Sequence, residues 1–334
     1  MRKKNPLNII GLIDSKKVIK YLKSILKKFR DTLYSFKGSI KNFKKLKDKK
    51  PSNIYGLVDS KEFLKYSESM LKKVRAASCT FKETIKSGDF IFYCSFCKKM
   101  NLALGSDYWN LRNQVICESC KLPSRNRHLF EIIETLKPPE KDLKIIIFED
   151  VTEFAKKLKS KYKNLITSEF FPGLTSGQKV RYKKIKNYHI TNQDIQKTSY
   201  KSNSIDLMIH GDVYEHIPSI KNALIEARRI LKKDGIMIFT MPLYDNLKKT
   251  TIRAKLKNGN INHIHEPMYH GNPIDDKGAL VFSDPGKDFL DLANKYGFKI
   301  KISMGFDPFK GYFSDCHEID TYHCWNSVFV FSKK

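Results

Sequence analysis

The sequence predicts an α/β protein built on a doubly wound, mostly parallel sheet, preceded by a small four-cysteine module and a basic helical arm. Three observations carry this expectation. Strand-like apolar runs alternate with helical patterns from Leu143 onward, two Cys-x2-Cys pairs stand nineteen residues apart, and a 37-residue segment occurs twice near the N-terminus. A length of 334 residues with 41% hydrophobic content allows about two domains and a sizeable core. The 22 Phe and 16 Tyr argue against wholesale disorder. Apolar runs such as Leu7–Ile13 and Ile236–Leu243 are too short to cross a bilayer, which takes about 20 residues. Nothing reads as a secretory signal, so the expected location is cytoplasmic. Composition and motifs divide the chain into an arm over 1–88, a cysteine module over 89–138 and a main domain over 139–334 with an insertion at about 243–285.

The arm comes first. Residues 5–41 laid over 50–86 give 19 identities in 37 positions, the clearest being Gly11-Leu12-Ile13-Asp14-Ser15-Lys16 over Gly56-Leu57-Val58-Asp59-Ser60-Lys61. Such ungapped self-similarity marks a duplicated unit. In each copy the Asp-Ser pair offers an N-cap oxygen to a helix. Val18, Ile19, Leu22, Ile25, Leu26 and Phe29 then follow at helical spacing, and Phe63, Leu64, Met70, Leu71 and Val74 repeat the stripe. Two basic amphipathic helices result. Their apolar stripes suit packing on each other or on the main domain, peripheral attachment to an anionic membrane surface, or docking on an acidic partner. Residues 1–90 hold 24 basic and 8 acidic residues, a net +16 of the chain's +28. Nucleic acid is the less favoured partner, because only 10 of the 63 basic residues are Arg, the residue suited to bidentate phosphate and base contacts.

Next come the cysteine pairs, Cys94/Cys97 and Cys117/Cys120. A two-residue gap lets one tight turn aim both thiolates at one ion, and the long spacer returns the second pair to complete a tetrahedron. A reducing compartment disfavours disulfides. Four sulfur ligands leave no open coordination position, so the expected zinc is structural. Cys316-His317 and His323-Cys324 read as core and loop residues, not a second metal site, because adjacent residues point apart on an extended chain.

The main domain follows as Leu143–Phe148 (strand), Thr152–Tyr162 (helix), Leu165–Ser168 (strand), Tyr188–Ile190 (strand), Ile205–His210 (strand), Ile220–Leu231 (helix) and Ile236–Thr240 (strand). Lys232-Lys233-Asp234-Gly235 reads as a helix C-terminus, and Trp325–Phe331 as a buried final strand. In sheets of this kind ligands bind beyond the C-terminal strand ends. Glu169, Asp194, His210, Asp212 and Glu215 all fall there.

The run Ile205-Asp206-Leu207-Met208-Ile209-His210-Gly211-Asp212-Val213-Tyr214-Glu215-His216-Ile217-Pro218, with Ala227-Arg228-Arg229-Ile230-Leu231-Lys232-Lys233-Asp234-Gly235 after it, resembles the fourth and fifth strands of class I S-adenosylmethionine-dependent methyltransferases. The likeness extends over about 143–301 and implies a Rossmann-like methyltransferase fold. Cys94–Cys120, Arg125-x-Arg127-His128 and Tyr269-His270-Gly271-Asn272-Pro273 resemble a subset that carries a cysteine-pair module before the domain and a YHGNP stretch after it. By position, the resemblance gives Glu169 the ribose hydroxyls of S-adenosylmethionine, Asp194 and Ile195 the adenine, and His210 the methionine end. Phe148 and Glu149, which close the first strand, complete the implied cofactor set. The chain departs from the family here: Ile147-Phe148-Glu149-Asp150-Val151-Thr152 has no glycine where a glycine-rich loop normally stands.

Methyl transfer rests mainly on alignment of the acceptor with the methyl group. Where the acceptor needs a base, His270 and His216 are the catalytic candidates. The expected activity is S-adenosylmethionine-dependent methylation of a small-molecule or carbohydrate-like acceptor, the acceptor class being implied by the resemblance alone. A catalytically inactive docking module on the same fold and an RNA methyltransferase are the alternatives.

Overall fold

A computed structural model describes residues 57–65, 91–104, 110–137, 142–182, 185, 187–244, 248–274, 276–314 and 326–334. The chain divides into Met1–Asn53 and Ile54–Lys334, and every described residue belongs to the second unit. The first repeat copy, most of the second, and the Cys316-His317 and His323-Cys324 pairs lie outside the described residues.

The described part of the second copy opens with β1 (Val58–Asp59), and residues 60–65 are helical. Asp59 Oδ1 accepts from the Lys61 amide at 2.8 Å, and Phe63 is buried. In the cysteine module, β2 (Ile91–Cys94), β3 (Lys99–Leu104) and β4 (Ile116–Cys117) form an antiparallel sheet. Helix α1 (Leu111–Gln114) precedes β4, and α2 (Ser124–Leu136) follows it.

The main domain alternates as expected through β5 (Ile145–Ile147), α3 (Glu153–Lys161), β6 (Leu165–Thr167), β7 (Lys179–Arg181), β8 (His189–Thr191), β9 (Ile205–Gly211), α4 (Ile220–Ile230) and β10 (Leu231–Thr240). The insertion supplies three short antiparallel pairs: β11 (Thr251–Ile252) with β16 (Ser283–Asp284), β12 (Ala254–Lys257) with β13 (Asn260–His263), and β14 (Tyr269–His270) with β15 (Ala279–Leu280). Helix α5 (Asp288–Lys295), β17 (Phe298–Met304) and β18 (Ser327–Lys333) end the fold.

The central sheet runs β1-β17-β18-β10-β9-β5-β6. Strands β6, β5, β9 and β10 pair in parallel, whereas β18, β17 and β1 join through antiparallel pairings. The sheet is therefore mixed, with a parallel half that carries the strand ends of interest. Phe239, Phe289, Phe329 and Phe331 fill the core beside it, with ring centroids 4.9–6.4 Å apart. Contacts of this kind add about 0.5–1.5 kcal/mol each beyond burial.

Two elements differ from the reading of the sequence. Helix α4 stops at Ile230 and the chain enters β10 at once. Lys232–Gly235 form a bulge, where the β9–β10 register shifts between Leu231 and Ile236. Gly235 serves this bulge: a Cβ there would lie 2.6 Å from the Ile205 carbonyl oxygen. The third expected sheet strand instead pairs with β7 as a hairpin. Among the described residues, it meets the edge of the parallel sheet at a bridge between Glu169 and Asn192. Asn192 explains the detour, since its side chain accepts from Phe171 N and donates to the Leu174 and Thr175 carbonyls, folding the 170–178 loop inward.

Candidate functional site

The cysteine module places Cys94, Cys97, Cys117 and Cys120 with all four sulfurs within 4.8 Å of one another. Cys94 and Cys120 sulfurs are 3.7 Å apart, and those of Cys97 and Cys117 3.9 Å. Burial, then the neighbouring Cys94, pushes the Cys97 thiol up to about 12, while hydrogen bonds from Cys120 and Cys94 pull Cys117 down to about 2. Four crowded sulfurs cannot all ionise without a cation. An all-sulfur tetrahedral set of this size suits zinc.

Helix α2 fixes this module to the main domain, and its Arg-x-Arg-His run divides the work. Arg127, fully buried, donates from Nη1 to the Val115 and Leu122 carbonyls at 2.7 Å each, and from Nη2 to the Gly311 carbonyl at 2.6 Å. Its guanidinium lies 4.2 Å from the Phe92 ring centroid. His128 bridges Asn326 Oδ1 at 3.2 Å and Ser303 Oγ at 2.9 Å, and burial lowers its pKa to about 4. Arg125 instead reaches the strand ends, with Nη1 3.2 Å from Asp212 Oδ2.

At those ends the loop after β5 is ordered without glycine. Glu169 Oε1 accepts from the Asp150 and Val151 amides at 2.8 and 3.2 Å. Thr152 caps α3 through Ala155 N. Asp150 is buried, its Oδ1 held by Lys159, Thr167 and Tyr188. Phe148 is buried, bonded through its amide to the Ile209 carbonyl. Glu149 crosses to β9, where Thr152 donates to its Oε2 and its Oε1 would lie 2.7 Å from a Cβ on residue 211. Glycine at 211 thus gives the Glu149 carboxylate its place. Burial raises the Glu149 carboxyl above its ordinary value. Burial also raises Glu169 to about 7, with Glu149 and Asp150 adding to it.

Asp212 follows with φ +51°, a left-handed conformation that Asp tolerates better than most residues. Arg112 grips it bidentately at 2.6 and 2.8 Å, and Thr240 donates to Oδ1 at 2.8 Å. Although burial opposes ionisation, the Arg112 and Arg125 charges hold the Asp212 carboxyl well below its usual range.

The remaining candidates are spread out. Asp194 is half-buried, and its Oδ1 accepts from the Gln196 amide at 2.8 Å; Ile195 beside it is buried. His210 lies wholly in the core, stacked between Phe239 and Tyr214 at centroid distances of 4.5 and 4.3 Å. Neither ring nitrogen has a hydrogen-bond partner among the described residues, and burial lowers its pKa to about 3.

His216 and His270 do come together. Their ring centroids are 4.9 Å apart, over the buried carboxylate of Glu215. His216 Nε2 is 3.6 Å and His270 Nδ1 3.9 Å from Glu215 Oε1. The insertion builds this cluster: β14 carries His270, and its partner β15 offers the Leu280 carbonyl to His216 Nδ1 at 2.9 Å. Burial lowers both histidines, His216 to about 4, and raises Glu215 well above the carboxylate range, with the Asp212 charge adding to it. Sequence reasoning missed Arg112, which sits in the spacer between the cysteine pairs, a hundred residues from its partner Asp212.

Residues 151–239 match a family model described as "Methyltransferase domain". The match starts at Val151, within the glycine-free loop, and ends in β10. No curated protein matches the chain. Solved structures resembling it include DesVI of Streptomyces venezuelae (8% identity, 63% of this chain and 92% of that one, TM-score 0.37). An S-adenosylmethionine-dependent methyltransferase of Clostridium acetobutylicum resembles it at 12% identity, over 62% of this chain and 90% of that one, with TM-score 0.39. A Haloferax volcanii complex of the Trm112 methyltransferase activator with its putative methyltransferase resembles it at 9%, over 63% and 90%, also with TM-score 0.39.

Proposed function

We propose that this chain is an S-adenosylmethionine-dependent methyltransferase, stapled by a structural zinc ion and acting on a small-molecule or carbohydrate-like acceptor. One observation carries the reading: within the region of the methyltransferase-domain match, β6 closes at Thr167 and leads two residues on to Glu169, whose carboxylate holds the loop after β5. That places an acidic group at the C-terminal edge of a parallel sheet, where such sheets bind nucleotides. When bound, S-adenosylmethionine supplies an electrophilic methyl group on a sulfonium centre.

The residues fit that cofactor in a modified way. Glu169 uses Oε1 to order the loop and keeps Oε2 for ribose hydroxyls. Asp194 and Ile195 serve the adenine, one as acceptor and one as an apolar wall. At the amino-acid end, Glu149 offers a carboxylate to the ammonium, and Arg125, one quarter exposed, offers a guanidinium to the carboxylate. The glycine-rich backbone cradle of the family is thus replaced by side chains. His210 acts from within the core, supporting β9 beneath the cofactor. His216 and His270 stand on the acceptor side, under the insertion. Zinc held by Cys94, Cys97, Cys117 and Cys120 fixes α2, and through it Arg125, over the strand ends.

Isothermal titration of the metal-replete full chain with S-adenosylmethionine tests the reading. Saturable one-to-one binding is expected; its absence sinks the enzyme and leaves a docking module on the same fold.

A further inference from the structure

We infer that Glu215, His216 and His270 form a second metal site, one that takes a divalent first-row transition ion separate from the cysteine-bound zinc. The ligand atoms all lie within 4.8 Å of one another. Ligands of a tetrahedral zinc ion with bonds of about 2.1 Å are separated by about 3.4 Å. The 3.6 and 3.9 Å separations from Glu215 Oε1 are slightly wider, so an ion would draw each histidine nitrogen toward the carboxylate by only a few tenths of an ångström.

The hydrogen bonding points the same way. A carbonyl oxygen only accepts, so His216 Nδ1 must donate to Leu280. That fixes the tautomer and turns the Nε2 lone pair toward Glu215. Orienting a ligand imidazole through its other nitrogen is the usual outer-sphere arrangement of metal-binding histidines. Facing it, the Glu215 side chain is 1% exposed, and both its oxygens lack a hydrogen-bond partner among the described residues. A buried carboxylate left unpaired costs several kcal/mol. A buried carboxyl without a hydrogen-bond partner, facing an imidazole lone pair, suits a cation that takes the place of the carboxyl proton. The nearby Asp212 does not compete for that role, since Arg112, Arg125 and Thr240 occupy its oxygens.

Two imidazoles and one carboxylate suit zinc, iron, cobalt or manganese, and three protein ligands leave positions open. The opening faces outward: His270 is 36% exposed and the adjoining Tyr269 is exposed. An oxygen of the acceptor can fill an open position there. This use rests on the methyltransferase reading; the metal site itself does not.

The test titrates metal-depleted full-length protein with cobalt(II), reading stoichiometry by elemental analysis and coordination by absorption. Wild type should bind two equivalents, one with intense thiolate-to-cobalt absorption and one without it. Glu215→Gln, which keeps size and shape, and His270→Ala, which alters a partly exposed side chain, should each reduce the count to one and leave the thiolate band unchanged. That unchanged band also reports that the variants are folded. A single equivalent in wild type, or two in both variants, overturns the site. Titrating the same samples with S-adenosylmethionine separates the two readings. Cofactor binding with only the cysteine-bound metal overturns the second site alone, whereas two metals without cofactor binding uphold the site and remove the methyltransferase.

Discussion

Glu169 has two tasks that its two oxygens divide. Oε1 orders the loop after β5 through two amides, and the proposed reading gives Oε2 to the ribose hydroxyls. Glu169→Gln keeps an amide-accepting oxygen for the loop but replaces the other acceptor with a donor. Hydrogen bonds to a charged group contribute about 1.5–3 kcal/mol, so this variant should keep its thermal midpoint while its affinity for S-adenosylmethionine falls by about 10- to 100-fold in calorimetry. The pH profile follows from burial, which raises Glu169 to about 7. A raised carboxyl favours folding while it is protonated, and that contribution is lost as pH climbs from the ordinary carboxylate range toward 7. Accepting ribose hydroxyls requires the ionised form. Cofactor affinity should therefore rise through neutral pH in wild type and stay flat in Glu169→Gln. Asp212 behaves in the opposite sense. Its arginine partners lower its pKa, so its contribution is present above the ordinary carboxylate range and lost as pH falls below it. Asn accepts the same left-handed backbone, which makes Asp212→Asn a test of charge alone. Leaving Arg112 buried without its counter-ion should cost about 3 kcal/mol in urea unfolding; a loss under 1 kcal/mol would refute the ion pair as a structural element.

Helix α2 is the element that turns a cysteine module into part of the site. Three of its polar residues reach three places: Arg125 the strand ends, Arg127 the module, and His128 the β17–β18 region. Lysine at 127 keeps the charge but cannot bridge three carbonyls or stack on Phe92. Arg127→Lys should thus lose about 2–4 kcal/mol of stability by chemical denaturation. Chelation of the zinc proposed for the four cysteines should weaken cofactor binding as well as lower the thermal midpoint, because Arg125 loses its support; unchanged affinity after chelation would separate the module from the site. The parallel strands β5, β6, β9 and β10 were legible because continuous Ile- and Leu-rich runs leave few other readings, and the cysteine spacing was legible because two turns and one spacer define a site. The bulge was not. A Lys-Lys-Asp-Gly run ends a helix as readily as it bulges a strand, and only the approach of the Ile205 carbonyl to Gly235 distinguishes the two. Likewise, nothing local marks Arg112 as the partner of Asp212, since sequence pattern is blind to a pairing that depends on how α1 docks.

Charge and structure divide the whole chain at the same place. Residues 1–53 contain 17 basic and 3 acidic residues, a net +14 of the total +28, and the boundary between the two units falls at Asn53–Ile54. That boundary falls four residues into the second repeat copy. Most of this copy belongs to the larger unit, where Val58 and Asp59 pair with Ile302 and Lys301 at the sheet edge and Phe63 is buried. Two truncations follow from this arrangement. A chain beginning at Ile54 keeps every described contact, so its thermal midpoint should stay within about 2 °C of the full chain. A chain beginning at Ser67 exposes the β17 edge and loses the burial of Phe63, worth about 2–3 kcal/mol, which should lower the midpoint by about 5 °C or more at this size. S-adenosylmethionine affinity should survive the first cut, because every described group at the strand ends comes from the larger unit. Binding to anionic vesicles should fall on the same cut, and the remaining binding should weaken steeply with salt, since half of the excess charge has gone and exposed lysines act through screened attraction. Equal midpoints for the two truncations would mean that the second copy contributes nothing to the sheet it borders.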